Sequence, residues 1–187
     1  SFLKTGTTIV GLACSDCVVL AADTRSTSGE MVMDKEKLKI HPIAPRIFAC
    51  AAGTSADCDQ LTRTAAHALA LQRIRNEAAG LDNQPLNDRV LSARSVLLNG
   101  LLDSRRTGGR RPSAVFLLGG IDNSQGPALH QIEGDGITQR AKYAALGSGS
   151  LDAIAVIETE VNKFNQLRQQ KEEEFHIDGQ NQSTKTI

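Results

Sequence analysis

Apolar, β-branched runs come in adjacent pairs in this chain, and that pairing restricts the fold more than any other feature. "TTIVGLAC" and "CVVLAAD" flank the dipeptide Ser15-Asp16, and "KLKIHPI" and "RIFACAAG" flank Pro45. Further along, "SAVFLLGGID" and "PALHQIEGDG" flank "NSQG". Short turn-forming links between such runs predict hairpins, so the sheets are expected to be antiparallel. Between the second and third pairs the apolar period changes to that of a helix. Leu61, Ala65, Leu69 and Ile74 share one face, with Thr54 or Ser55 as a cap and Gly80 as the stop. A second helix follows "NQPLND" and buries Val90, Leu97 and Leu101.

"KYAALGSGS" runs from a strand into a third helix that begins near Leu151 and uses Ala153, Ile154 and Ile157. The order of strands, two helices, strands and a helix predicts an α+β sandwich of two antiparallel sheets flanked by helices. A length of 187 residues suits one domain, and no internal repeat is visible. The ending, residues 162–187, is polar and lacks a sustained apolar period, so its last dozen residues are expected to be loosely held.

Composition mainly excludes. Lysine plus arginine is 21 and aspartate plus glutamate is 21, so no global field directs the chain to nucleic acid or membrane. No apolar stretch reaches the roughly 20 residues of a membrane span. The arginines of "SRRTGGRRP", Arg105, Arg106, Arg110 and Arg111, lack interleaved aromatic residues and are expected to form a solvated connection rather than an RNA site. Cys14 and Cys17 have CxxC spacing, but Cys50 and Cys58 supply no second pair and no histidine follows at finger spacing. Small thiols filling a core, not a metal site, are expected. With no disulfide framework, cytoplasm and nucleus are the expected compartments.

The stretch "KTGTTIVG", residues 4–11, carries chemistry as well as structure. A threonine hydroxyl becomes a nucleophile when a base takes its proton, and the threonine's own α-amine can be that base at a chain terminus. Such an amine has a reference pKa of about 7.7–8.0, and a nearby ammonium lowers it toward neutrality. Scission between Gly6 and Thr7 would create nucleophile and base together. The plainer reading is a turn at Gly6 before a strand.

Over residues 4–157 the chain resembles the catalytic β subunits of the proteasome core particle, most closely the trypsin-like type. "KTGTTIVG", "VVLAADTRST", "KIHPIAPRIFACAAGTSAD" and "LGSGS" carry the likeness, in family order at compatible separations. The resemblance implies the N-terminal nucleophile hydrolase sandwich and a threonine endopeptidase that needs no cofactor or metal. It also implies other α and β subunits in stacked seven-membered rings as partners, and unfolded polypeptides as substrates. Residues 1–6 would be the remnant of a pro-segment, and 7–187 a single domain whose residues 158–187 diverge from the family.

Carried over by position, Thr7 is the nucleophile, Lys39 the lysine that tunes its amine, and Asp23 the carboxylate that orients Lys39. Arg25 buttresses the site, Gly53 offers the oxyanion N–H, and Ser148 and Gly149 bond the terminal amine. Ser26, Thr27, Lys37, Ala51 and Asp59 fall at substrate-binding positions. Asp59 implies cleavage after basic residues, whereas Lys37 and an alanine at position 51, where the trypsin-like type has glycine, oppose it. Asp178 and Ser183 lie where a closing aspartate and serine are sought, but "HIDGQNQS" does not match and they stay unassigned. Each residue has an ordinary reading too: Lys39 a surface strand residue, Asp23 a turn former, Gly53 a helix cap, "GSGS" a connection. A noncatalytic structural subunit, or an inactive truncated isoform, is the alternative function.

Overall fold

In the computed structural model, which describes residues 6–29, 31–80, 89–106, 109–122 and 126–183, each paired run forms a hairpin. β1 (Thr8–Ala13) pairs with β2 (Val18–Ala22), and β3 (Ser26–Ser28) with β4 (Met31–Asp34). β5 (Ile40–Ala44) and β6 (Ile47–Gly53) precede α1 (Ser55–Ala78) and α2 (Val90–Arg106). Then come β7 (Ala114–Asp122), β8 (Gly126–Ile132), β9 (Thr138–Ala141), β10 (Tyr143–Gly147) and α3 (Ser150–Ser183). Every described pairing is antiparallel, as the short links require.

Two larger sheets form, one of order β10-β1-β2 and one of order β5-β6-β7-β8-β9. Period-two alternation gives the second sheet two apolar faces. Cys50, Ala52, Leu117 and Leu129 meet Ile9, Ala144 and Leu146 of the other sheet. Ala49, Ala51, Phe116 and Leu118 point the opposite way, against Cys58, Leu61, Ala65 and Leu69 of α1 and Val90, Leu97 and Leu101 of α2. A sheet buried on both faces explains why β6 and β7 read as nearly continuous apolar runs.

Several expectations need correction. Ile74 is 58 % exposed, because the core face of α1 ends at Leu69 while the helix continues. Thr54 is the N-cap of α1 but makes no side-chain cap hydrogen bond. Cys14 is exposed at the β1–β2 turn instead of filling the core; Cys50 and Cys58 are buried as expected. By its internal contacts the chain divides into two compact units, 1–151 and 152–187. The second unit is helical through Ser183, since Gln, Lys and Glu form helix well without an apolar face to bury. "NQPLND" and the NSQ turn, residues 123–125, lie outside the described residues, as do residues 1–5 and the side chains of Arg105, Arg106, Asp178 and Ser183.

His130 on β8 is 4 % exposed, and its pKa is pushed down to about 4, mainly by burial and further by the cations of Arg94 and Arg140. The unfolded imidazole takes up its proton near its ordinary value of 6.5, before the folded one does. Stability is therefore complete above about pH 6.5 and is lost as the pH falls toward 4, by about 3 kcal/mol. His130→Gln should remove that slope in urea unfolding across this range; an unchanged slope would contradict the assignment.

Candidate active site

The two strands of the first hairpin bring Thr7 and Asp23 together. Ala22 pairs with Ile9, so the next residue, Asp23, lies beside Thr8. Its N–H donates to the Thr8 carbonyl at 3.2 Å, and its Oδ1 accepts the Thr8 N–H at 2.8 Å. Lys39 enters from the segment before β5, where its carbonyl accepts the Ala51 N–H at 3.0 Å. The Lys39 ammonium then spends its three donors on Thr7 Oγ1 at 3.0 Å, Asp23 Oδ2 at 2.8 Å and the Arg25 carbonyl at 2.7 Å. Lys39 and Thr7 are each only 7 % exposed, so the reading of Lys39 as a surface residue fails.

Burial alone would raise the Asp23 carboxyl. The Lys39 hydrogen bond and charge, with the Thr8 and Arg25 N–H groups, outweigh it and hold the group below the ordinary carboxylate value. The Asp23 contribution to stability is therefore present above the unfolded value and lost as the pH falls through the lower folded one. A cation set against Thr7 Oγ1 favours the deprotonated hydroxyl, which is what a nucleophile needs.

Two of the glycines at strand ends have demanding backbones. Gly147, at φ 103°, pairs with Thr8, and a Cβ there would run into the Thr7 carbonyl. Sequence reasoning did not single it out, although it opens the same "GSGS" stretch. Gly53, at φ 134°, ends β6 where a Cβ would meet the Ser113 carbonyl. Both positions need a backbone that side chains rarely tolerate.

The sequence has counterparts among known proteins. The family profile described as proteasome subunit matches residues 3–175. Proteasome subunit beta type-7-A of Arabidopsis thaliana is 44 % identical over 158 residues, covering 84 % of this chain and 53 % of that protein. Proteasome subunit beta type-7 of Dictyostelium discoideum is 41 % identical over 157 residues, covering 84 % and 54 %. Proteasome subunit beta type-10 of Mus musculus is 39 % identical over 155 residues, covering 83 % and 52 %. The chain belongs to the proteasome β-subunit family. It spans about half the length of the curated relatives it matches, and its two-sheet sandwich is the α+β fold of N-terminal nucleophile hydrolases.

Within this proteasome subunit the other carried-over residues divide. Arg25 acts through its backbone, donating its N–H to Asp23 Oδ2 at 3.1 Å and accepting from Lys39, while its side chain is exposed. Ser148 donates its N–H to the Thr7 carbonyl at 2.9 Å, and Gly149 donates to Thr8 Oγ1 at 3.1 Å. With the Gly6-Thr7 bond intact these donors hold the Thr7 carbonyl and the Thr8 hydroxyl rather than the Thr7 nitrogen. Thr27 Oγ1 accepts the Gly6 N–H at 3.2 Å, and Ser26 sits in the β3 ladder opposite Asp34.

Lys37 and Asp59 form an ion pair at 2.7 Å, with His41 Nε2 3.9 Å from the second Asp59 oxygen. All three line a cavity of about 490 Å³ with Thr62 and Arg63. The residues lining it do not include Thr7 or Lys39, although Lys37 is only two positions from Lys39 in the chain. Burial keeps the His41 pKa low, against the pull of Asp59. Ala51 is in the core cluster and does not line this cavity. In the "SRRTGGRRP" connection Arg110 is paired with Asp57 of α1 at 2.8 and 2.9 Å, which ties it to protein, and Arg111 is exposed.

Replacing Asp23 by Asn leaves the Lys39 ammonium buried without its counter-charge. The cost should be about 2 kcal/mol, below the ~3–5 kcal/mol of a fully buried pair because Asp23 keeps a third of its side chain open. In a double-mutant cycle with Lys39→Met, read by urea unfolding, the second substitution should recover much of that loss. Simple additivity would show that the two groups are not coupled.

Proposed function

We propose that this proteasome subunit is a threonine endopeptidase that matures by cutting its own Gly6-Thr7 bond. The 3.0 Å hydrogen bond from the Lys39 ammonium to Thr7 Oγ1 carries this reading. In maturation, Thr7 Oγ attacks the Gly6 carbonyl carbon and the amide nitrogen leaves as the new α-amine, which gains a proton. Water then hydrolyses the resulting ester, releasing the segment that ends at Gly6 as a carboxylate and restoring the hydroxyl. In turnover, the free amine takes the hydroxyl proton, Thr7 Oγ attacks the substrate carbonyl, the amine returns the proton to the departing peptide amine, and water then hydrolyses the acyl ester to a carboxylate and restores the hydroxyl. The Gly53 N–H is the proposed oxyanion donor, a role whose loss typically costs about 10²–10³ in rate. Nucleophile, base and oxyanion donor all come from the chain, so the proposed reaction calls for no cofactor.

The remaining family properties belong to the same proposal: other α and β subunits in stacked seven-membered rings, unfolded polypeptides as substrates, and the cytoplasm and nucleus as compartments. Among the described residues no helix is long and apolar enough to cross a membrane. Thr7→Ala in the assembled protein should keep Gly6 joined to residue 7 by intact mass and lower peptide hydrolysis by at least ~10³-fold, while Thr7→Ser should retain part of both activities. A wild-type chain whose Gly6-Thr7 bond stays intact after assembly would support the noncatalytic structural subunit instead.

Substrate preference is proposed to follow the Lys37–Asp59 pair. Asp59 is the acidic group that would receive a basic side chain, but Lys37 already neutralises it at 2.7 Å. Selection for arginine or lysine is therefore weak in the wild-type chain. Lys37→Met should free the carboxylate and raise the preference for arginine over leucine peptides by about tenfold, or about 1.4 kcal/mol. An unchanged ratio would remove Asp59 from the specificity site.

A further inference from the structure

Cys14 and Cys17 take no part in the reaction proposed for Thr7, yet they are the two cysteines that solvent can reach. Cys14 is exposed and Cys17 half-exposed, whereas Cys50 and Cys58 are buried, each with its thiol pushed up to about 12. For Cys50 burial is the cause; for Cys58 burial leads and the charges of Asp59 and Asp57 add to it. Buried thiols of that kind are poor nucleophiles.

The β1–β2 hairpin sets the first pair face to face. The ladder runs to Ala13 opposite Val18, so Cys14 next faces Cys17 across the two-residue turn Ser15-Asp16. The Cys14 N–H donates to the Cys17 carbonyl at 2.8 Å, which makes this a hydrogen-bonded rung. Residues opposite each other on such a rung have Cα atoms about 5.5 Å apart and side chains on the same face. A disulfide needs a Cα separation of about 4.4–6.8 Å, so the backbone already has the required spacing. The Cys17 thiol is raised, first by the neighbouring Cys14 thiol and then by burial and the charges of Cys14 and Asp16.

We propose that Cys14 and Cys17 form a reversible dithiol–disulfide switch that exchanges with low-molecular-weight disulfides such as glutathione disulfide. The exposed Cys14 thiol loses its proton and attacks one sulfur of the external disulfide, expelling a thiolate that takes up a proton. Cys17 then loses its proton and attacks the Cys14 sulfur, expelling the second external thiol. Two protein thiols are oxidised and one external disulfide is reduced to two thiols. Because Cys17 is held in its protonated form, closure should quicken as the pH rises.

The new bond closes a ring that the hairpin ladder already closes, so it adds little chain-entropy stabilisation. Its effect is chemical. It caps the turn end of the hairpin whose open end carries Thr7 and Asp23, and its exposure keeps it open to reductants.

The test uses the full chain incubated with glutathione disulfide and followed by intact mass and thiol alkylation. Wild type should lose the mass of two hydrogens, with Cys14 and Cys17 protected together and both recovered by dithiothreitol. Cys17→Ser should instead stop at one glutathionyl group on Cys14, since the resolving thiol is gone. A wild-type chain that accumulates the same stable glutathionyl adduct, or whose two thiols stay alkylatable where Cys17→Ser is modified, would overturn the proposal.

Discussion

One buried cation organises the site. The Lys39 ammonium is nearly sealed from water and divides its three donors among a carboxylate, a backbone carbonyl and the Thr7 hydroxyl. A charge in that position is tolerable only if every donor is met, and the first two partners meet that requirement while the third turns it toward chemistry. The sandwich serves the same end. Thr7 enters β1, Asp23 leaves β2, Lys39 enters β5, Gly53 leaves β6, and Gly147 ends β10. Thr7, Asp23, Lys39 and Gly147, far apart in the chain, thus meet at strand ends, held by ladders and by an inter-sheet core of Ile9, Leu117 and Leu129.

Much of this architecture was legible in the sequence, for identifiable reasons. The hairpins β1–β2, β5–β6 and β7–β8 announce themselves because their inward faces are buried and so must be apolar. The β3–β4 hairpin was not legible. β4, "MVMD", is exposed at every position and shows no alternation for burial to impose. The edge strand β9, "TQRA", is polar and was missed for a similar reason. The start of α3 near Leu151 was legible, but its continuation to Ser183 was not, because helix propensity without an apolar stripe leaves no periodic signal.

The site was legible to a different depth. No spacing rule joins Thr7, Asp23 and Lys39; family resemblance brought them together, and the coordinates supply the hydrogen bonds. Side-chain identity was misleading for Arg25, whose contribution is a carbonyl and an N–H. It was incomplete for Lys37 and Asp59, since a sequence gives two charges but not their 2.7 Å contact. Gly147 and the Cys14–Cys17 rung depend on backbone conformation and ladder register, which a string of residues does not display.

The most direct test is the ionisation of the Thr7 α-amine in cleaved protein, followed by nitrogen NMR with labelled threonine. Beside the Lys39 ammonium the amine should titrate below the ~7.7–8.0 of a free α-amino group and move back toward that range in Lys39→Met. A wild-type amine that titrates at or above the reference range, or one indifferent to Lys39→Met, would contradict the role assigned to the buried lysine.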